Sequence, residues 1–153
     1  MRPANKGILL LPLVLLLFLS QAWGQTAADI EGLLAQKEIT FEQAAYFASC
    51  AVLDEPPAAP FAAFTLARDR GWLPAKAESS RPITMGGLSL LLMHAFDLKG
   101  GMMYRFFGNQ RYAYREMKEK GYITGRAYQT LKVSGEQFLQ ILGDVTADLG
   151  GEW

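Results

Sequence analysis

The side chains able to do chemistry are few. The 153-residue chain holds one histidine, His94, and one cysteine, Cys50. A zinc site draws on several such ligands, so no metal or other cofactor is expected. His94 has no Gly-x-Ser-x-Gly nucleophile elbow to serve. Glu116 and Glu119 stand one helical turn apart with Lys118 and Lys120 beside them. That pattern reads as a solvated, ion-paired helix face rather than a glycosidase acid/base pair. The pairs Gly86-Gly87, Gly100-Gly101 and Gly150-Gly151 lack the surroundings of a phosphate loop. Cys50 has no internal disulfide partner and sits in the apolar run Ala44 to Val52, where a buried free thiol is expected. These residues point away from an enzyme.

Residues suited to binding are more numerous. Trp72 with Lys76, and Tyr122 with Arg126, each set an aromatic near a cation. An aromatic face can stack on a sugar ring while the cation holds a carboxylate or phosphate carried by it. The competing reading is that both rings plug the core between packed units. The second candidate is Met102-Met103-Tyr104-Arg105-Phe106-Phe107, continued by Arg111, Tyr112, Tyr114 and Arg115. It suits either a helix packed over one side of a bundle or an adaptable partner-binding patch.

The elements that must position these groups recur. Residues 63–92 and 113–142 match in residue class at a constant offset of 50. Ala63-Phe64 answers Ala113-Tyr114, Gly71-Trp72-Leu73 answers Gly121-Tyr122-Ile123, and Ile83-Thr84 answers Val133-Ser134. Ile39-Thr40-Phe41-Glu42-Gln43 resembles the later half of the unit, giving a half unit and two whole ones. Each unit reads as helix, loop, helix. The first helix stops at Gly71 or Gly121, with basic residues in its last turn. The second opens on a hydroxyl: Thr40 to Gln43 and Ser134 to Gln137 fit the capping box, with Ile39 and Val133 placed as staples. Thr84-Met85-Gly86-Gly87 breaks the box, so a weaker helix start is expected there. A short lead helix is predicted over Asp29 to Leu34, and Glu55 to Pro60 reads as a rigid linker. No alternating strand pattern appears. The predicted fold class is all-α, a small helical repeat bundle.

Composition sets the class. Half the residues are apolar, 20% are charged, and fifteen basic residues balance fifteen acidic ones, so nucleic acid is not an expected partner. Arg2 and Lys6 precede a 13-residue apolar run from Gly7 to Leu19, shorter than the 18 or so residues of a membrane span. Ala22 and Gly24 fit a signal-peptidase site. The expected organisation is a signal peptide at 1–24 cleaved after Gly24, a lead segment at 25–37 and the repeat domain at 38–149. The expected location is the periplasm or cell envelope, with membrane contact only through an uncleaved leader.

A helix ending in glycine–aromatic–aliphatic, a loop, and Ile-Thr-x-x-Gln opening the next helix resembles the S-layer homology repeat. Ala113 and Gly121-Tyr122-Ile123-Thr124-Gly125 carry the best match, and the resemblance spans roughly residues 38–147. It implies stacked helical modules, often three, that bind cell-wall polysaccharide. The arginine that usually follows the helix-opening threonine is replaced by Phe41, Met85 and Gly135. The expected function is a non-enzymatic envelope module binding wall polymer or an envelope protein, with Trp72, Lys76, Tyr122 and Arg126 as glycan contacts. The alternative is an assembly subunit that docks on a larger complex through residues 102–107 and holds no glycan. A stack of so few units leaves apolar ends, so a homo-oligomer is one expected way of covering them.

Overall fold

The computed structural model describes residues 27–150. The leader read at 1–24 lies outside them. Among the described residues there are helices and no strand: α1 (residues 27–34), α2 (Phe41–Val52), α3 (Pro60–Asp69), α4 (Met85–Ala95), α5 (Met102–Phe107), α6 (Gln110–Glu119) and α7 (Gly135–Gly150). The chain divides between Ala35 and Gln36 into two compact units. The second carries α2 to α7 and the core described below. Among the described residues no helix is long and apolar enough to cross a membrane.

The centre of the second unit is a ring of backbone hydrogen bonds. Ile39 N–H donates to the Val133 carbonyl at 2.9 Å, Ile83 N–H to the Ile39 carbonyl at 2.9 Å, and Val133 N–H to the Ile83 carbonyl at 3.2 Å. Each residue donates once and accepts once, so the cycle closes. All three side chains are fully buried. Only two isolated bridges, Thr40 with Pro82 and Thr84 with Lys132, mark these extended segments among the described residues. Buried backbone groups need partners, and here three short segments supply them to one another without a sheet.

Each ring residue runs straight into a helix, and the ring solves that helix's N-terminal problem. The first N–H groups of a helix lack internal acceptors. In α2, Phe41 N–H donates to the Arg81 carbonyl at 3.0 Å and Glu42 N–H to the Ser79 carbonyl at 3.1 Å. Gln43 N–H donates to Thr40 Oγ1, and Gln43 Oε1 accepts from Thr40 N–H at 3.0 Å, completing the capping box. In α4, Met85 and Gly86 N–H donate to the Leu131 and Gln129 carbonyls, both at 2.8 Å. Gly87 N–H donates to Thr84 Oγ1 at 3.2 Å. In α7, Gly135 N–H donates to the Gln36 carbonyl, and Ser134 forms the reciprocal pair with Gln137.

The broken box at Thr84 has a packing cause. A Cβ on Gly87 would sit 3.1 Å from the Phe41 ring and 3.3 Å from Ile83 Cγ1. A larger residue there would crowd the ring-closing core and require Phe41 or Ile83 to shift by a few tenths of an ångström. The reciprocal bond is absent, as read, and this helix start relies on two loop carbonyls and on packing against its neighbours.

The first helix of each sequence unit ends in a Schellman motif. Gly71 N–H donates to the Arg68 carbonyl and Trp72 N–H to the Ala67 carbonyl; Gly121 and Tyr122 repeat this with Lys118 and Met117. Both glycines have positive φ, 71° and 85°. Helix pairing departs from the sequence units. α3 packs chiefly on α2 and α6 on α4, so the second helix of one unit partners the first helix of the next. The α2 and α3 faces are built from Ala44, Ala45, Ala48, Ala63 and Ala67, all fully buried. α4 is buried continuously from Met85 to Met93. It ends at Phe96 and Asp97, whose φ is 48°.

Candidate functional site

The ring leaves clefts between neighbouring segments. The first, about 550 Å³, runs between the loop after α3 and the start of α6. Leu73 and Leu90, both nearly buried, contribute its apolar floor. Its polar lining comes from Thr84, Asn109, Gln110, Arg111, Gln129 and Thr130. Asn109 caps α6, its Oδ1 accepting from the Arg111 and Tyr112 N–H groups at 3.1 and 3.2 Å. Gln129 gives its carbonyl to Gly86 and so is fixed by the α4 start. Among the described residues Arg111 has no carboxylate within 4.0 Å. An apolar floor with amides, hydroxyls and one unpaired guanidinium can hold a polyhydroxylated, anionic chain. A smaller cleft of about 90 Å³ lies against Tyr122, Ile123, Thr124, Ala127, Gln137 and Gln140.

The sequence-derived contacts divide between these clefts. Trp72 is 8% exposed and Tyr122 is 9% exposed. Each is the residue following the Schellman glycine, whose side chain folds back over its own helix end. The Arg70 guanidinium covers the Trp72 ring at 5.1 Å, and the Tyr122 hydroxyl donates to Asp148. The rings therefore act as core plugs, and neither presents an open face for stacking. Lys76 and Arg126 are exposed on their loops. Their neighbours Ala75 and Ala127 line the first and the smaller cleft respectively, so the two cations attend different clefts. Asn109, Gln110, Gln129 and Thr130 were not singled out by sequence. Asn109 carried a signal, a helix-capping residue type directly before the α6 pattern; Gln110 follows it as the first residue of α6, and Gln129 and Thr130 come from the loop ahead of Val133.

α5 differs from a packing helix. Met102, Met103, Phe106 and Phe107 are 72, 48, 77 and 59% exposed, and Arg105 is exposed with them. Tyr104 is the exception: it is buried, so it is not available to a partner as the sequence reading had it. Its ring lies where a Gly100 Cβ would be, 2.4 Å from Cδ1, and 6.1 Å from the His94 ring. Tyr104 anchors α5 while the other side chains project. A third cavity, about 650 Å³, opens at this corner and is lined by His94, Asp97, Lys99, Tyr104 and Arg105. His94 is exposed at the end of α4, and partial burial of its ring pushes its pKa below its ordinary value, against a smaller opposing pull from Asp97. Burial, then Asp97 and Glu116, push the Tyr104 hydroxyl upward.

One further placement corrects the sequence reading, and one accords with it. Cys50 is exposed on the outer face of α2. Ser49, one residue earlier, takes the buried position. Glu119 pairs with Arg115 at 3.5 Å on an exposed face. Among the described residues no group of three or more His, Cys, Asp or Glu side chains converges as a metal site would require. No family model, no curated protein and no solved structure matches the chain.

Proposed function

We propose that the chain is a non-enzymatic, exported envelope module whose first cleft binds an anionic wall polysaccharide. The two whole units and the half unit are, on this reading, copies of one ancestral element of S-layer homology type. Several contacts recur fifty residues apart and support it: the two Schellman closures, and the cations Arg68 over Phe64 and Lys118 over Tyr114, at 5.7 and 6.0 Å. Export rests on the leader pattern at residues 1–24.

The observation that carries the binding reading is the first cleft itself. Its apolar floor suits the C–H face of a sugar, its amides and hydroxyls suit ring hydroxyls, and Arg111 suits a carboxylate or phosphate. Because Trp72 and Tyr122 are buried, recognition shifts from aromatic stacking to Arg111, Gln110 and Gln129, with Lys76 adding charge beside the cleft. The test is co-sedimentation with purified cell-wall sacculi. Saturable binding should weaken about tenfold or more in Arg111→Ala with Lys76→Ala, as expected when charge-assisted contacts are lost. Arg126→Ala should change it less. Binding unaltered by the double variant, or no binding by folded protein, refutes the proposal.

A further inference from the structure

α5 presents a surface that the wall-binding reading leaves unused. It is six residues long and bounded by Gly101 and by Gly108, whose φ is 49°. At 3.6 residues per turn, Met102, Met103, Phe106 and Phe107 cover an outward arc of roughly 140°. Tyr104 falls outside that arc and is the side chain that ties the helix down. The Phe107 ring stacks on Tyr112 at 5.3 Å, extending the apolar surface onto α6. With Met102, Phe106 and Phe107 more than half exposed, these side chains protrude and do not line a groove.

The charge beside this tip is mostly basic. Residues 97–119 contain Lys99, Arg105, Arg111, Arg115 and Lys118 against Asp97, Glu116 and Glu119, in a chain whose net charge is zero. Arg115 is taken up by Glu119. Lys99 and Arg105 are exposed and, among the described residues, have no carboxylate within 4.0 Å. Arg105 flanks the apolar arc on the Met102 side, and it lines the corner cavity together with Lys99 and Asp97. Protruding methionine and phenylalanine with unpaired cations at their base match the boundary layer of an anionic bilayer: hydrocarbon for the tips, phosphates for the collar.

We propose that α5 docks the protein on an anionic lipid surface, with Met102, Met103, Phe106 and Phe107 entering the headgroup–acyl boundary and Lys99 and Arg105 contacting lipid phosphates. This contact is separate from the apolar leader and from the wall-binding cleft, so it stands or falls independently of both.

The test reads insertion at α5 itself, in the full chain. Cys50 is the sole cysteine, so a Cys50→Ser, Phe106→Cys chain carries one polarity-sensitive fluorophore on α5. The wild-type chain labelled at exposed Cys50 on α2 is the control. Both are mixed with vesicles of phosphatidylcholine alone and with an equal mixture of phosphatidylcholine and phosphatidylglycerol. The expected result is a blue shift and quenching by lipid-borne spin label at position 106 on the mixed vesicles, with none at position 50. Lys99→Gln with Arg105→Gln should reduce the fraction inserted by about fivefold or more, as two lost phosphate contacts require. A label at 106 that stays in water while the chain is held on vesicles elsewhere overturns the proposal. Equal insertion into neutral vesicles overturns the role of the cations. Burial of position 106 by envelope protein extract and not by lipid overturns it in favour of a protein partner.

Discussion

Ser49 and Cys50 show how much turns on one residue of register. Both lie in the apolar stretch of α2, and period alone does not say which faces inward. The structure buries Ser49 and exposes Cys50. The Ser49 hydroxyl is fully buried and, among the described residues, has no hydrogen-bond partner. A buried, unpaired polar group costs about 1–3 kcal/mol, and alanine is also the better helix former. Ser49→Ala is expected to raise stability by about 1 kcal/mol in denaturant unfolding. Ser89 is the comparison: equally buried, it donates to the Met85 carbonyl at 2.7 Å, and Ser89→Ala should bring no such gain. His94 offers a pH readout. Although the residue is exposed, partial burial of its ring lowers its folded pKa below 6.5, so between those two values the unfolded chain binds more protons, a small effect for a solvent-screened group. The stability linked to His94 is complete above the ordinary value and is lost as pH falls through it toward the folded one. Wild type should therefore lose more stability than His94→Gln when denaturant midpoints are compared at about pH 7.5 and about pH 5. Equal losses would mean that His94 is fully solvated.

At the scale of elements, what was legible in the sequence is what is decided locally. The capping boxes at Thr40 and Ser134 and the glycine stops at Gly71 and Gly121 each need only residues within one turn, and all four stand as read. The roles of Trp72 and Tyr122 needed one step more: the residue after a Schellman glycine packs back on its helix, which favours the plug over the sugar platform. The pairing of α3 with α2 and of α6 with α4 was not legible, because periodicity marks an apolar face without naming its partner. α5 was legible as a helical turn, with a packed and an exposed reading both open. Gly87 was visible only as a missing cap partner; its cause is the Phe41 ring from another segment. Gly87→Ala would gain about 1 kcal/mol of helix propensity and incur about 1–3 kcal/mol of overpacking. Phe41 and Ile83 are both buried and have little room to yield. The expected net effect is a loss of about 1 kcal/mol, read as a lower denaturant midpoint with an unchanged slope. A stabilised variant would show that the Phe41 ring can move.

At the scale of the molecule, the ring at Ile39, Ile83 and Val133 organises everything else. It joins segments distant in sequence, seats three helix starts on neighbouring loops, and opens the clefts in which Arg111 and Gln129 meet. Its segments were identifiable as an aliphatic residue before a hydroxyl cap. Their closure on one another was not, since each hydrogen bond depends on a residue at least forty-four positions away. The most direct test is native-state hydrogen exchange at these three amides. If the ring is one cooperative core, Ile39, Ile83 and Val133 should exchange with the same free energy, equal to that of global unfolding from denaturant titration. Faster exchange at any one of them, through a local opening that leaves the other two protected, would contradict a closed ring and the cleft geometry built on it.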